Sequence, residues 1–406
     1  MKWLASYPKE VKVFLLASLI NAAGSALMWP LITMFIFKEL GRTMTDAGLA
    51  IMIHSLGGIV GQLLGGALYH RIGVKRLIVG SLILNALALL LLPYGSQNWH
   101  LFMGLLLLGG FSNAMSMPAI QAFVGFRFAD RRGQLFNVIY VANNIGVALG
   151  TALSGVLAQI SYHLSFVMNG FTCLVFAIFF FVYLNKVEQQ EGGLHVHKKK
   201  SAAQGLRVST LLMNYRIYLF MGLGSLFLWL GNSIWNNGVS PYTISKGAPE
   251  WHYSILWTLN GILIFVGQPV VSWIKRVCAG SSQAQMAASA VFYLAGYICI
   301  LTVHTYPAIV GAMILTTFGE MLISPAIPAF ISDHTAKAAP FYLGLVGGIS
   351  AGGRVLGPYA MGVLYDQGGL VPVAWLSVIV AILSLSMFVV HAWMYRNKVS
   401  SLPLSL

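Results

Sequence analysis

Charged side chains are scarce in this chain. Only 8% of its 406 residues are Asp, Glu, Lys or Arg, against about 25% in a soluble domain. So few charges cannot cover a water-facing surface, which excludes a soluble globular enzyme. A disordered chain, which needs low hydrophobicity and high charge, is excluded as well. Cysteine is also rare: Cys173 and Cys299 lie in apolar runs and Cys278 in a basic loop, which suggests neither a disulfide framework nor a zinc site. No His-Glu-x-x-His and no Gly-x-x-x-x-Gly-Lys-Ser/Thr pattern occurs, so neither a zinc-peptidase helix nor an ATP-binding loop is expected. No metal and no cofactor is expected.

The abundant residues are apolar. Hydrophobic residues make up 58% of the chain, together with 43 glycines, a mixture that suits membrane helices packed closely through small residues. Twelve apolar runs are each long enough to cross a bilayer, which takes about 20 residues. They cover 13–37, 47–68, 77–94, 101–126, 135–158, 165–184, 217–240, 253–274, 286–303, 308–331, 341–364 and 372–394. Lipid offers no partner to backbone polar groups, so each run is expected to be helical. A membrane β-barrel would need alternating segments of about 10 residues and is excluded. The expected fold is an all-α membrane protein of twelve transmembrane helices.

Lys and Arg set the direction of insertion. With the N-terminus inside, the inner segments hold twenty basic residues and the outer segments only Lys38, Arg42 and Lys246. Both termini are therefore expected to be cytoplasmic, in a multi-pass protein of the cell membrane. The net charge of +14 sits in short clusters between apolar runs, which reads as topology anchors near anionic lipid and not as a nucleic-acid site. The first apolar run is too long for a signal peptide and has no small-residue cleavage site after it.

The longest break, 185–216, carries Glu188, Gly192, Gly193 and the run Lys198-Lys199-Lys200. It reads as a solvated linker between an N-terminal six-helix bundle, 1–184, and a C-terminal one, 217–406. Sliding the sequence by 207 residues supports a repeat: Pro118-Ala119-Ile120 meets Pro325-Ala326-Ile327, and Gly146, Gly150 and Gly155 meet Gly353, Gly357 and Gly362. Two parallel six-helix repeats are the sequence sign of one transporter architecture. Close helix packing is the expected role of Gly146, Gly150, Gly155, Gly353, Gly357 and Pro358.

Between the second and third runs stands Gly66-Ala67-Leu68-Tyr69-His70-Arg71-Ile72-Gly73-Val74-Lys75-Arg76. This resembles the loop signature of the major facilitator superfamily, Gly-x-Leu-Ala-Asp-Arg-x-Gly-Arg-Arg. Gly66, Leu68, Arg71 and Gly73 match, Lys75 and Arg76 keep the basic character, and His70 replaces the usual Asp. The resemblance implies a cytoplasmic gating loop, in which Asp130 is a candidate partner for Arg71. Span 11 carries Gly353-Arg354-Val355-Leu356-Gly357-Pro358, similar to the Gly-x-x-x-Gly-Pro pattern that the superfamily's drug/proton antiporters carry in span 5. Here span 5 has Thr151 where the Pro would stand, and span 4 lacks the Arg those antiporters tend to carry.

Two formal charges fall inside the spans, Glu320 and Arg354. Ionisable residues at that depth are costly and mark cavities or one another. Both fall near the midplane on successive helices, where they could form an ion pair. Burial disfavours a charged carboxylate and a neighbouring guanidinium favours it, so a conformational change could load and unload a proton at Glu320. The alternative is a fixed salt bridge. The resemblance places spans 1, 4, 7 and 10 around a central cavity, which makes Asn21, Trp29, Asn113, Trp229, Asn232, Trp235 and Asn236 its candidate lining. Met28, Met34, Met115, Met117 and Met321 lie there too, and an aromatic, Met-rich wall can repack around varied ligands.

The function expected is a secondary active transporter working by alternating access, coupling proton entry to efflux of small apolar or cationic compounds. Its partners are a small-molecule substrate, protons and the lipid bilayer, and a monomer is expected. The alternative within transport is uptake or flipping of a sugar, peptide or glycolipid. A membrane-embedded enzyme would need paired acids, a metal cluster or a nucleophile with its base, and only one carboxylate lies within the spans. A sensor would need a long cytoplasmic domain.

The charge asymmetry makes a direct forecast. Cysteines introduced at Gly193 and Gly280 should react only with a reagent applied from the cytoplasmic side, and one at Gly247 only from outside. Labelling of Gly193 and Gly247 from one face would refute the twelve-span topology.

Overall fold

The structure, a computed structural model, describes residues 9–127, 132–191, 215–335 and 339–400. Every regular element among the described residues is helical. The principal helices are α1 (Lys9–Met28), α2 (Met44–Ile72), α3 (Val74–Gly95), α4 (Trp99–Arg127), α5 (Arg132–Ile160), α6 (Tyr162–Glu191) and α7 (Tyr215–Asn232). They continue as α8 (Glu250–Val266), α9 (Gln268–Val277), α10 (Ser282–Thr302), α11 (Tyr306–Thr335), α12 (Ala339–Gly368) and α13 (Leu370–Ser400). Among the described residues nine helices are long and apolar enough to cross a membrane, and the bent pair α8–α9, at 62°, makes a tenth. With 29 and 30 residues, α4 and α12 are as long as these. This is the fold of an all-α membrane protein.

Local chemistry sets the ends of several helices. Thr43 caps α2 by accepting from the Asp46 amide at 3.1 Å, and Ser281 caps α10 by accepting from the Ala284 amide at 3.2 Å. Gly73 alone separates α2 from α3 and has a φ of 84°, a conformation that strains any residue with a Cβ. The break between α8 and α9 falls at Gly267, and Pro269 follows at the start of α9, where its missing N–H costs nothing. Buried hydroxyls turn back onto their own helices: Ser112 donates to the Leu108 carbonyl at 2.6 Å and Thr316 to the Ala312 carbonyl at 3.0 Å. No polar partner from lipid is then needed.

The chain forms two compact units. The first holds the described parts of Met1–Lys198 together with Thr243–Gly261. In it α1 packs on α5 and α6, α3 on α4 and α6, and α2 on α4. A side chain at Gly146 or Gly150 of α5 would run into the Leu19 or Ala23 carbonyl of α1. The 243–261 segment packs on α5 as well. Ser154 Oγ donates to Ser254 Oγ at 3.1 Å, Thr151 and Thr258 hydroxyls meet at 3.1 Å, and a Cβ on Gly155 would stand 2.6 Å from the Trp251 Cα.

The second unit holds the described parts of Lys199–Tyr242 and Ile262–Leu406. Here α7 packs on α12 and α13, and α10 on α11 and α13. Side chains at Gly353 or Gly357 of α12 would strike the Leu226 carbonyl of α7 and the Ser233 hydroxyl just past its end. The pairing scheme of the first unit thus recurs in the second. Both α1 and α7 also run on into a π-turn, Phe35–Glu39 and Trp235–Val239 respectively.

The glycine contacts can be tested by melting. Gly150→Ala should lower the melting temperature of the purified protein, since overpacking a filled contact costs about 1–3 kcal/mol. Gly311→Ala, with nothing within 4 Å of the added carbon, should leave it unchanged. Equal melting temperatures for the two variants would refute the tight α1–α5 contact.

Candidate functional site

Each unit holds a cavity between its helices. The cavity of the first unit is about 280 Å³ and is lined by Asn21, Trp29, His54, Asn85, Asn113 and Asn169, among others. Five helices therefore send a carboxamide or an imidazole to one place, and none of the lining residues carries a formal charge. Two of the amides are held by sulfur. Asn85 Nδ2 donates to Cys173 Sγ at 3.3 Å, and Asn169 Nδ2 to Met28 Sδ at 3.7 Å. The Trp29 ring tilts over His54 with centroids 5.5 Å apart.

The cavity of the second unit is about 300 Å³, and its walls include Ser225, Trp229, Ile327, Val346, Ser350 and Arg354. The Arg354 guanidinium lies over the Trp229 ring, 3.9 Å from its centroid. This cation–π contact suits a cation that has left water. The Glu320 charge acts on Arg354 and on Tyr293. Tyr293 is buried on α10, where Ser289 Oγ also donates to the Gly319 carbonyl at 2.7 Å.

The other candidates are dispersed. Asn232, Trp235 and Asn236 follow α7 into its π-turn and line neither cavity. Trp235 is buried, Asn232 and Asn236 partly so. Neighbouring Asn237 is fully buried, with no hydrogen-bond partner for its carboxamide. Met28 lines the first-unit cavity, whereas Met34 and Met321 are buried in helix contacts. Gly66, His70 and Arg71 belong to the helical backbone of α2, their side chains lie outside what is described, and Asp130 lies outside the described residues. Lys75 of the same loop pairs with Glu188 at 2.9 Å.

The structure adds residues that the sequence did not single out. Asn85 and Asn169 are two, although an amide within an apolar run is a visible signal. A third group is an ion pair in the first unit between Lys38 and the buried Glu250, which also accepts from Tyr162 Oη at 3.3 Å. The partners are 212 residues apart, and Glu250 stands just before an apolar run, where a solvated acid is ordinary. Among the described residues no group of three His, Cys, Asp or Glu could hold a metal.

Comparison with known proteins follows from this geometry. A model described as the Major Facilitator Superfamily matches residues 14–282. A Bacillus subtilis (strain 168) chain, Uncharacterized MFS-type transporter YttB, is 33% identical over 364 residues, 89% of this chain and 90% of that one. Quinolone resistance protein NorA of Staphylococcus aureus is 24% identical over 349 residues, 84% of this chain and 86% of the relative. Among solved structures, the nucleoside transporter NupG aligns with a TM-score of 0.74 at 14% identity, covering 96% of this chain and 99% of that one. The POT family transporter PepTSo aligns with a TM-score of 0.76 at 14% identity, covering 98% and 99%. At these identities the two structures report the fold alone.

The Glu250 pair yields a graded forecast. Lys38→Met leaves a buried carboxylate without its cation, whereas Glu250→Gln leaves a neutral group that can still accept from Tyr162. The first should therefore lower the melting temperature more than the second, and the reverse order would refute the pairing.

Proposed function

The chain belongs to the Major Facilitator Superfamily, and from that premise we propose that this multi-pass membrane transporter is a secondary active exporter driven by proton entry. Residues 1–184 and 217–406 are read as the two halves of an alternating-access machine joined by 185–216. Small apolar or cationic compounds are the proposed cargo. What carries the reading is one acid and one base placed at mid-depth on successive helices, Glu320 on α11 and Arg354 on α12. In this reading Arg354 favours the charged carboxylate while it stands near. When a conformational change draws Arg354 away, burial favours the neutral acid and a proton is taken up. Similarity to a protein named for quinolone resistance supports export.

A second reading, proton-coupled uptake or flipping of a sugar, peptide or glycolipid, is favoured by the uncharged amide cavity of the first unit. Carboxamides offer paired donors and acceptors, which such solutes match.

The deciding measurement is accumulation of substrate in vesicles under an imposed pH gradient. Glu320→Gln keeps the shape and removes the titration. It should abolish gradient-driven transport while leaving ligand binding and downhill exchange largely intact. Wild-type accumulation with an unchanged pH profile would remove Glu320 from the coupling step.

A further inference from the structure

We propose that the cavity of the second unit binds a carboxylate borne on an apolar or aromatic body, with Arg354 as its cation and Ser225 as a second donor. The inference rests on the transporter reading above and extends its cargo beyond apolar and cationic compounds to those that carry a carboxylate, zwitterions included.

Four observations lead there. First, Arg354 supplies the one formal charge among the residues lining this cavity. Among the described lining residues there is no Asp or Glu. Second, the guanidinium carbon lies 3.9 Å from the Trp229 ring centroid, which places the cation at an aromatic wall of this cavity. A guanidinium has five N–H donors in its plane, and their fork matches a carboxylate through two parallel hydrogen bonds.

Third, Ser225 lines the same cavity, is 1% exposed, and its hydroxyl finds no hydrogen-bond partner. A buried hydroxyl in that state calls for an acceptor, and a ligand oxygen would be one. Ser350, by contrast, already donates to the Val346 carbonyl at 2.7 Å. Fourth, the remaining wall includes Ile327 and Val346, and about 300 Å³ is the small end of ligand-pocket sizes. The site thus fits one small ring system with an anionic end, and its apolar wall disfavours a purely hydrophilic anion.

A lipid headgroup could offer the same anionic chemistry. Arg354 lies about fifteen residues into α12, roughly 20 Å from its start at 1.5 Å per residue. That depth lies beyond the headgroup layer, which favours a free amphiphile.

The test is binding of three probes sharing one ring, 2-naphthoate, 2-naphthamide and 2-naphthylmethylammonium, to the purified full-length protein in phosphatidylcholine nanodiscs. The wild type should bind 2-naphthoate about tenfold or more tightly than either other probe, as a charge-assisted bidentate contact warrants. Arg354→Gln should abolish that preference. Arg354→Lys, which keeps the charge without the fork, should keep only part of it and serves as the readout if Arg354→Gln fails to fold. Ser225→Ala should weaken 2-naphthoate and 2-naphthamide, which both present an oxygen acceptor, and leave 2-naphthylmethylammonium unchanged. Equal binding of all three probes to the wild type, or a preference that survives Arg354→Gln, would overturn the site. Loss of naphthoate binding when phosphatidylglycerol is added would assign the site to lipid and overturn the proposal too. Transport assays separate this proposal from the reading beneath it. Carboxylate preference without proton-driven transport would leave the site standing and sink the exporter, whereas proton-driven transport without the preference would do the opposite.

Discussion

Inside a bilayer an unpartnered polar group has no water to fall back on, and the polar chemistry of this molecule is arranged around that constraint. Ser112, Thr316 and their like donate to their own helices. Asn85 and Asn169 reach sulfur, a weak acceptor. Arg354 is attended twice, by the Trp229 ring and by the Glu320 charge. Exceptions occur at several buried groups, Ser165, Trp257 and Tyr297 among them. Two fall at distinctive places: Ser225 on a cavity wall and Asn237 in a π-turn, and π-turns often mark functional segments.

The same solvent sets the packing. Hydrocarbon gives helices no hydrophobic reason to associate, so close contact through small residues takes over. Gly146 and Gly150 bring α5 against α1, and Gly353 and Gly357 bring α12 against α7. The two pairs stand 207 residues apart in sequence. Repetition of this contact, together with the matching π-turns after α1 and α7, marks the two units as copies of one plan.

Much of the fold was legible in the sequence because its signals are local or periodic. Apolar runs of the right length declare helices, and a fixed offset between glycines declares a repeat. The candidate site was legible only in part. Residue type and depth along a helix can be read, so Glu320 and Arg354 stand out as charges at mid-depth. The direction a side chain takes around its helix cannot be read where the whole circumference is apolar. Asn21 and Asn113 are reachable because the resemblance puts spans 1 and 4 at a cavity, whereas Asn85 and Asn169 lie on spans 3 and 6, which it does not; Trp229 can be assigned to a cavity wall, but not its place by Arg354. The Lys38–Glu250 pair needed both long-range contact and burial, and neither is written near either residue.

The repeat also bears on how a charge pair comes to lie at that depth. A shift of 207 residues sets Asn113 against Glu320 and Val147 against Arg354. Asparagine is a short, neutral counterpart of a carboxylic side chain, and valine lacks any charge. The first unit therefore has neither member of the pair, and the second has both. A lone carboxylate in α4 would be an uncompensated buried charge, as would a lone guanidinium in α5, and breaking such a pair is far costlier than lacking it. Both mid-depth charges therefore stand on the second unit, and the first meets the same cost of burial with a different pair, Lys38 and Glu250.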